Sequence, residues 1–221
     1  MRTKWALGLV VLAIAGCNKA PENPDATPNY RTIEEYNAGL AEAKDLSGAI
    51  LDRYDREGEN PNEAEKKNLK KALRLFKGVV AYEPTQYAPA MLAGKVAVAL
   101  EEFSEAEYYF EQALANIFEP IPAQDVRFAA ELHAQIANLA VLKNDFTRAD
   151  FASQQALKLM PKNPDYMATR ASALVQMKRT SEAKELLVAA IRIDRDNRRA
   201  NQLLTLLNLE EVERGMKKAG L

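Results

Sequence analysis

The chain has one cysteine, one histidine and one tryptophan among its 221 residues. A lone cysteine excludes an internal disulfide and a thiolate zinc site. A lone histidine, His133, excludes a multi-histidine metal cluster, and a Ser–His–Asp arrangement would have to centre on it. Neither a nucleophile elbow, a phosphate loop nor an HExxH sequence occurs. The stretch Asp55-Arg-Glu-Gly58-Glu-Asn fails as a calcium loop. With Gly58 at its turn the first and twelfth positions are Arg53 and Ala64, neither of them a ligand. A basic excess is absent too, with 30 Lys+Arg against 31 Asp+Glu, so the electrostatic footprint of a nucleic-acid binder is missing. No segment alternates β-branched and polar residues as a strand does. The longest uncharged opening run, Trp5 to Gly16, reaches only ~18 Å as a helix, against a bilayer core of ~30 Å. These absences leave no catalytic residue, metal or cofactor to expect. A binding role remains.

Arg2 and Lys4 precede that apolar run and small residues close it, the layout of a secretory signal peptide. The closing residues Ile14-Ala15-Gly16-Cys17 resemble the lipobox of bacterial lipoproteins. The resemblance implies that residues 1–16 are removed and that Cys17 carries acyl chains. Two or more such chains make membrane attachment persistent. Asn18, where an aspartate would signal inner-membrane retention, implies by the same resemblance an outer-membrane address facing the periplasm. Residues 18–31, NKAPENPDATPNYR, hold three prolines and almost nothing apolar, too little to offset their ordering entropy. Residues 17–31 are therefore expected to form a lipidated, disordered tether. The net charge of −1 becomes about −3 once the signal is lost.

Beyond Pro28, prolines occur only at 61, 84, 89, 120, 122, 161 and 164, between stretches rich in Ala, Leu, Glu, Lys and Gln. Those residues favour helix. Capping-box spacing at Thr32…Glu35 and Ser104…Glu107, and the pairs Asn60-Pro61 and Asn163-Pro164, mark helix starts. The predicted helices run near 32–57, 62–81, 86–100, 104–117, 123–142, 146–159, 164–177, 181–193 and 198–214. The fold class is all-α.

Self-alignment gives the architecture. Ala72, Ala106, Ala149 and Ala183 fall in one column with steps of 34, 43 and 34. Four residues on stand Phe76, Phe110, Ser153 and Leu187; twelve residues before lie Gly94, Ala137 and Ala171; Pro84 and Pro161 terminate two units. This spacing resembles the tetratricopeptide repeat, a helix–turn–helix unit. The resemblance covers residues 62–197, between an N-terminal helix and loop at 32–61 and a capping helix and tail at 198–221. It departs from pattern at Ala90, His133 and Met167 in the tryptophan column, at Ser153, and at Arg195 where proline is usual. The implied fold is a solenoid of antiparallel helix pairs. His133 is then expected to be a packing residue. The 43-residue step inserts a segment around 116–126. Its Phe118 and Ile121 are expected to plug the core, the alternative being a loop on a binding face. Glu101, Glu102, Glu105, Glu107 and Glu111 read as a solvated face.

The same resemblance implies that a protein or peptide partner binds the concave surface lined by the first helix of each unit. In this register the candidates are Met91, Lys95 and Val98, then Ala134, Asn138 and Val141, then Ala168, Ser172 and Val175. On the last helix, Leu203, Leu204, Leu206, Leu207, Leu209 and Val212 spread around the wheel, so Leu204, Leu209 and Val212 are candidates for an association edge covered by a homodimer or by a partner, the alternative being that Leu209 and Val212 fold back on the neighbouring repeat. The expected role is a lipid-anchored adaptor or assembly factor in an envelope complex serving outer-membrane assembly, pilus or secretion work, or polysaccharide export. The alternative is a non-catalytic scaffold that localises an envelope enzyme.

Overall fold

The computed structural model describes residues 26–118 and 120–219. The signal sequence, Cys17 and the first part of the tether lie outside the described residues. Among those residues the elements are helices: α1 Ile33–Glu57, α2 Glu63–Tyr82, α3 Tyr87–Ala99, α4 Phe103–Ala115, α5 Val126–Leu142, α6 Phe146–Leu159, α7 Pro164–Gln176, α8 Thr180–Ile193 and α9 Arg198–Ala219. None of them is long and apolar enough to cross a membrane.

Local chemistry sets most boundaries. Thr32 Oγ1 accepts from the Glu35 amide at 3.2 Å, and the Arg31 amide donates to Glu35 Oε2 at 2.7 Å, which starts α1. Gly58, at φ 68°, ends it. Asn163 caps α7 with Pro164 at its first position, as the sequence predicts. Two expected caps are corrected. Helix α2 starts from Asn62, because Asn62 and Glu65 satisfy each other's orphan amides at 3.0 and 2.9 Å, so Asn60 is left outside. Ser104 caps nothing; α4 begins at Phe103, and the Glu107 carboxylate is drawn instead to Lys143 and Arg148.

The helices pair as α1–α2, α3–α4, α5–α6 and α7–α8. Each new pair stacks on the last, and α9 lies on α8 and α7 as α3 lies on α2 and α1. The turn between paired helices repeats in detail. Glu101, Asn144 and Lys178 all sit in the left-handed region at φ 63°, 61° and 64°. In each, the following amide reaches back to the carbonyl five residues earlier: Glu102 to Ala97, Asp145 to Ala140, Arg179 to Leu174, at 2.8–2.9 Å.

The core follows the sequence columns. Ala72, Ala106, Ala149 and Ala183 are fully covered, with Phe76, Phe110 and Leu187 filling the gaps between helices. Each such large side chain contributes roughly 2–3 kcal/mol by burial. A Cβ on Gly94 would overlap the Phe110 ring, so this column must stay small. Ser153 is buried where a large apolar residue is usual, and its hydroxyl donates to Ala149 O at 2.7 Å.

Three further expectations need correction. Residues 26–31 are not free tether: the Tyr30 phenol fills the space that Gly39 lacks a side chain to occupy. A Cβ on Gly78 would come within 2.6 Å of Pro28 O. One aromatic ring resting on two glycines supplies the apolar burial that the composition of the stretch does not suggest. Phe118 is 76% exposed and plugs nothing, because the ten-residue link between α4 and α5 carries it away from the packed columns; Ile121 is half-buried. The acidic cluster is no plain solvated face. Glu105 pairs with Lys77 at 2.6 Å, Glu111 with Arg148 at 2.7 Å, and Glu107 with Lys143 and Arg148, stitching neighbouring pairs together.

Candidate functional site

Helices α3 and α5 turn one face each toward a shared inner channel of about 540 Å³. Its lining includes Val98, Asn138, Val141 and Leu142. The turn Tyr54–Gly58 at the end of α1 closes one side, and Arg198, Arg199 and Gln202 at the start of α9 close the other. The two walls meet where Arg198 Nη1 donates to Glu57 O at 2.8 Å, across 141 residues of sequence.

The nine predicted groove residues divide by column. Met91, Ala134 and Ala168 are buried between helices and line no open groove, a correction to the expected set. Their side chains lean toward the neighbouring helix, so the column packs instead of facing the channel. The central column is partly open, but its polar groups are engaged within the chain. Lys95 Nζ lies 2.5 Å from Asp55 and 3.7 Å from Glu131, bracing α3 to α1 and α5. Burial pushes the Lys95 pKa down, but the carboxylates of Asp55, Glu131 and Asp52 outweigh it and the net shift is upward. Asn138 Oδ1 accepts from Thr169 Oγ1 at 3.1 Å and from Arg199 Nη1 at 2.8 Å. Ser172 Oγ donates back to Ala168 O at 3.0 Å.

The third column remains. Val98, Val141 and Val175 keep part of their surface open, Val98 and Val141 within the channel and Val175 against the core cluster of α7, α8 and α9. Val98 and Val141 thus give the channel an apolar strip beside a polar row already satisfied. Arg199 is the addition that sequence reading missed, since the repeat pattern stops before α9. Its guanidinium still meets solvent through the channel, yet protein crowds it enough to push its pKa below the usual arginine value, against the pull of Asp165. Its hydrogen-bond partners are the neutral Asn138 and Thr169, the latter at 3.1 Å, and among the described residues no carboxylate is paired with it directly. The 34-residue step from Asn163 to Asn197 was the available signal: Asn197 Oδ1 caps α9 by accepting from the Ala200 amide at 2.9 Å.

His133 is half-buried, and burial pushes its pKa down. Among the described residues no three His, Cys, Asp or Glu side chains gather where they could hold a metal. Of the expected association edge, Leu204 packs against the core cluster around Ala200 and Leu207, whereas Leu209 and Val212 are open.

The tetratricopeptide-repeat family model matches residues 140–207. Among solved structures, the chain is similar to MamA, residues 41 to the end, from Desulfovibrio magneticus RS-1. The identity is 15% and the TM-score 0.53, over 78% of this chain and 87% of that one. At that identity the likeness concerns the fold alone. None of the curated proteins matches the chain. Geometry, repeat step and these matches agree on a tetratricopeptide-type helical solenoid, a fold typical of scaffolds for protein–protein interaction.

Proposed function

We propose that the chain is a lipid-anchored adaptor of a bacterial cell envelope, holding a protein or peptide partner along its inner face. The observation that carries this reading is the pair of partly open valines Val98 and Val141 lining a channel of about 540 Å³. Partly open valines at one register position of successive helices suit the apolar stripe of an extended or helical segment. The spent polar column adds little affinity of its own, since breaking Lys95 from Asp55 would cost as much as a new contact returns. Arg199 then offers its remaining donors to an acidic or carbonyl group on that segment.

The anchor rests on Ile14-Ala15-Gly16-Cys17, and the tether gives it geometric sense. Cys17 lies nine residues before Ala26, a span of at most about 30 Å when extended. An acylated Cys17 would therefore keep α1 and α2 close to the bilayer, at an outer membrane facing the periplasm. The partner is a component of an assembly, secretion or export machine of that envelope.

The test is a pull-down of the full-length chain from crosslinked cells, beside Cys17→Ser and Val98→Glu/Val141→Glu variants. The reading expects the wild type in the membrane fraction with one envelope machine attached, Cys17→Ser released from the membrane, and the valine variant anchored but bare. Equal fractionation of wild type and Cys17→Ser overturns the anchor. Full partner recovery by the valine variant overturns the inner-face site.

A further inference from the structure

The far end of the solenoid carries surface that the inner-face reading does not use. Helix α9 has 22 residues where α8 has 14, and from Asn208 to Lys218 every residue is exposed. This overhang is apolar along one side, with Leu209, Val212 and Met216 open, Val212 at 60%. Beside it, α8 and α9 border a gutter of about 460 Å³ lined by Val188, Ile191, Leu204, Arg192 and Arg195. A continuous helix cannot fold back onto the gutter that it borders, so the overhang of the same chain is excluded as its occupant.

Charge identifies one that fits. Arg192 and Arg195, three residues apart at the gutter, make no ion pair among the described residues. Glu210 and Glu213, also three residues apart on the overhang, make none either. Of the other charges here, Glu211 is held by Lys184 at 2.5 Å, while Arg214, Lys217 and Lys218 toward the tip of the overhang make no ion pair among the described residues. The gutter thus lacks two acids and an apolar stripe, and the overhang supplies both at the same spacing.

We propose that two copies of the chain pair through their last helices, the overhang of each lying over the α8–α9 gutter of the other. A two-fold axis uses both overhangs and both gutters and leaves nothing open to propagate, the closed arrangement of an isologous dimer. Leu209, Val212 and Met216 would cover Val188, Ile191 and Leu204, while Glu210 and Glu213 meet Arg192 and Arg195 of the second copy.

Sedimentation and light scattering of the purified full chain over a wide concentration range test this. The expected result is a reversible dimer. Glu210→Arg/Glu213→Arg and Arg192→Glu/Arg195→Glu should each weaken it at least about tenfold, as loss of two charge pairs at an interface does. The four changes combined should restore it. All these positions face solvent, so circular dichroism should stay unchanged. Leu209→Glu/Val212→Glu should give monomer. A monomeric wild type at every concentration, or a quadruple variant no better than the two doubles, overturns the proposal. So does a gutter that captures only an acidic helix of another protein.

Discussion

The inner face and the α8–α9 end treat their polar groups in opposite ways. On the inner face Lys95, Asn138, Ser172 and Thr169 all find partners within the chain, and apolar valines are what remains open. At the far end Arg192, Arg195, Glu210 and Glu213 make no ion pair among the described residues, and leucines stand uncovered beside them. Both regions sit on the same repeat register. What separates them is the neighbour: each inner helix is braced by the pair before and after it, whereas α9 has a pair on one side only. Braced surface offers shape and apolar contact; unbraced surface offers charge as well.

If bracing makes that difference, the largest effect of mutation falls where the braces converge. Asp150 is 7% exposed and binds Arg170 at 2.8 Å and Arg179 at 2.8 Å, joining α6, α7 and the start of α8. Burial raises its pKa, but hydrogen bonds from Arg170, Gln154 and Arg179 win and hold it below the ordinary 3.8. Asp150→Asn should cost about 2–3 kcal/mol in urea unfolding, the low end for a broken buried pair because the network's rim is wet. Since the folded pKa is depressed, this stability is complete above pH 3.8 and is lost as pH falls below it. The inner brace comes next. Lys95→Ala should cost about 1–2 kcal/mol, leaving the partly exposed Asp55 without its cation. Reversing the charges of the α8–α9 end, by contrast, should change monomer stability by less than about 0.5 kcal/mol.

How much of this was visible beforehand depended on whether a signal was local or conveyed by a neighbour. Alanine columns, the 34-residue step and the Asn163-Pro164 cap lie within the sequence, and the helix pairs follow them. The buried fate of Met91, Ala134 and Ala168 does not, because which of three adjacent columns faces the channel depends on the tilt of the next helix. Arg199 is not legible because the repeat pattern ends at residue 197, before α9 begins. Tyr30 escaped because one ring docking on Gly39 and Gly78 outweighs the polar composition around it.

Smaller effects refine the contrast. Glu101 and Lys178 hold the left-handed turn position where Gly58 closes α1, so Glu101→Gly and Lys178→Gly should each raise the melting free energy by roughly 0.5–1 kcal/mol. If the turns are equivalent, the two gains should add within error. His133 gives the least. Burial lowers its pKa from the ordinary 6.5, so the folded state prefers the neutral ring. Its stability contribution is intact above pH 6.5 and declines as pH falls below that value, a slope that His133→Gln should remove.

The most direct measurement is photo-crosslinking in cells, with the reactive side chain placed in turn at Val141 on the inner face and at Tyr108, 61% exposed on the outer face. The account predicts a discrete crosslinked partner from Val141 and none from Tyr108. A partner captured from Tyr108 alone would contradict it and move the binding surface to the outer face of the solenoid.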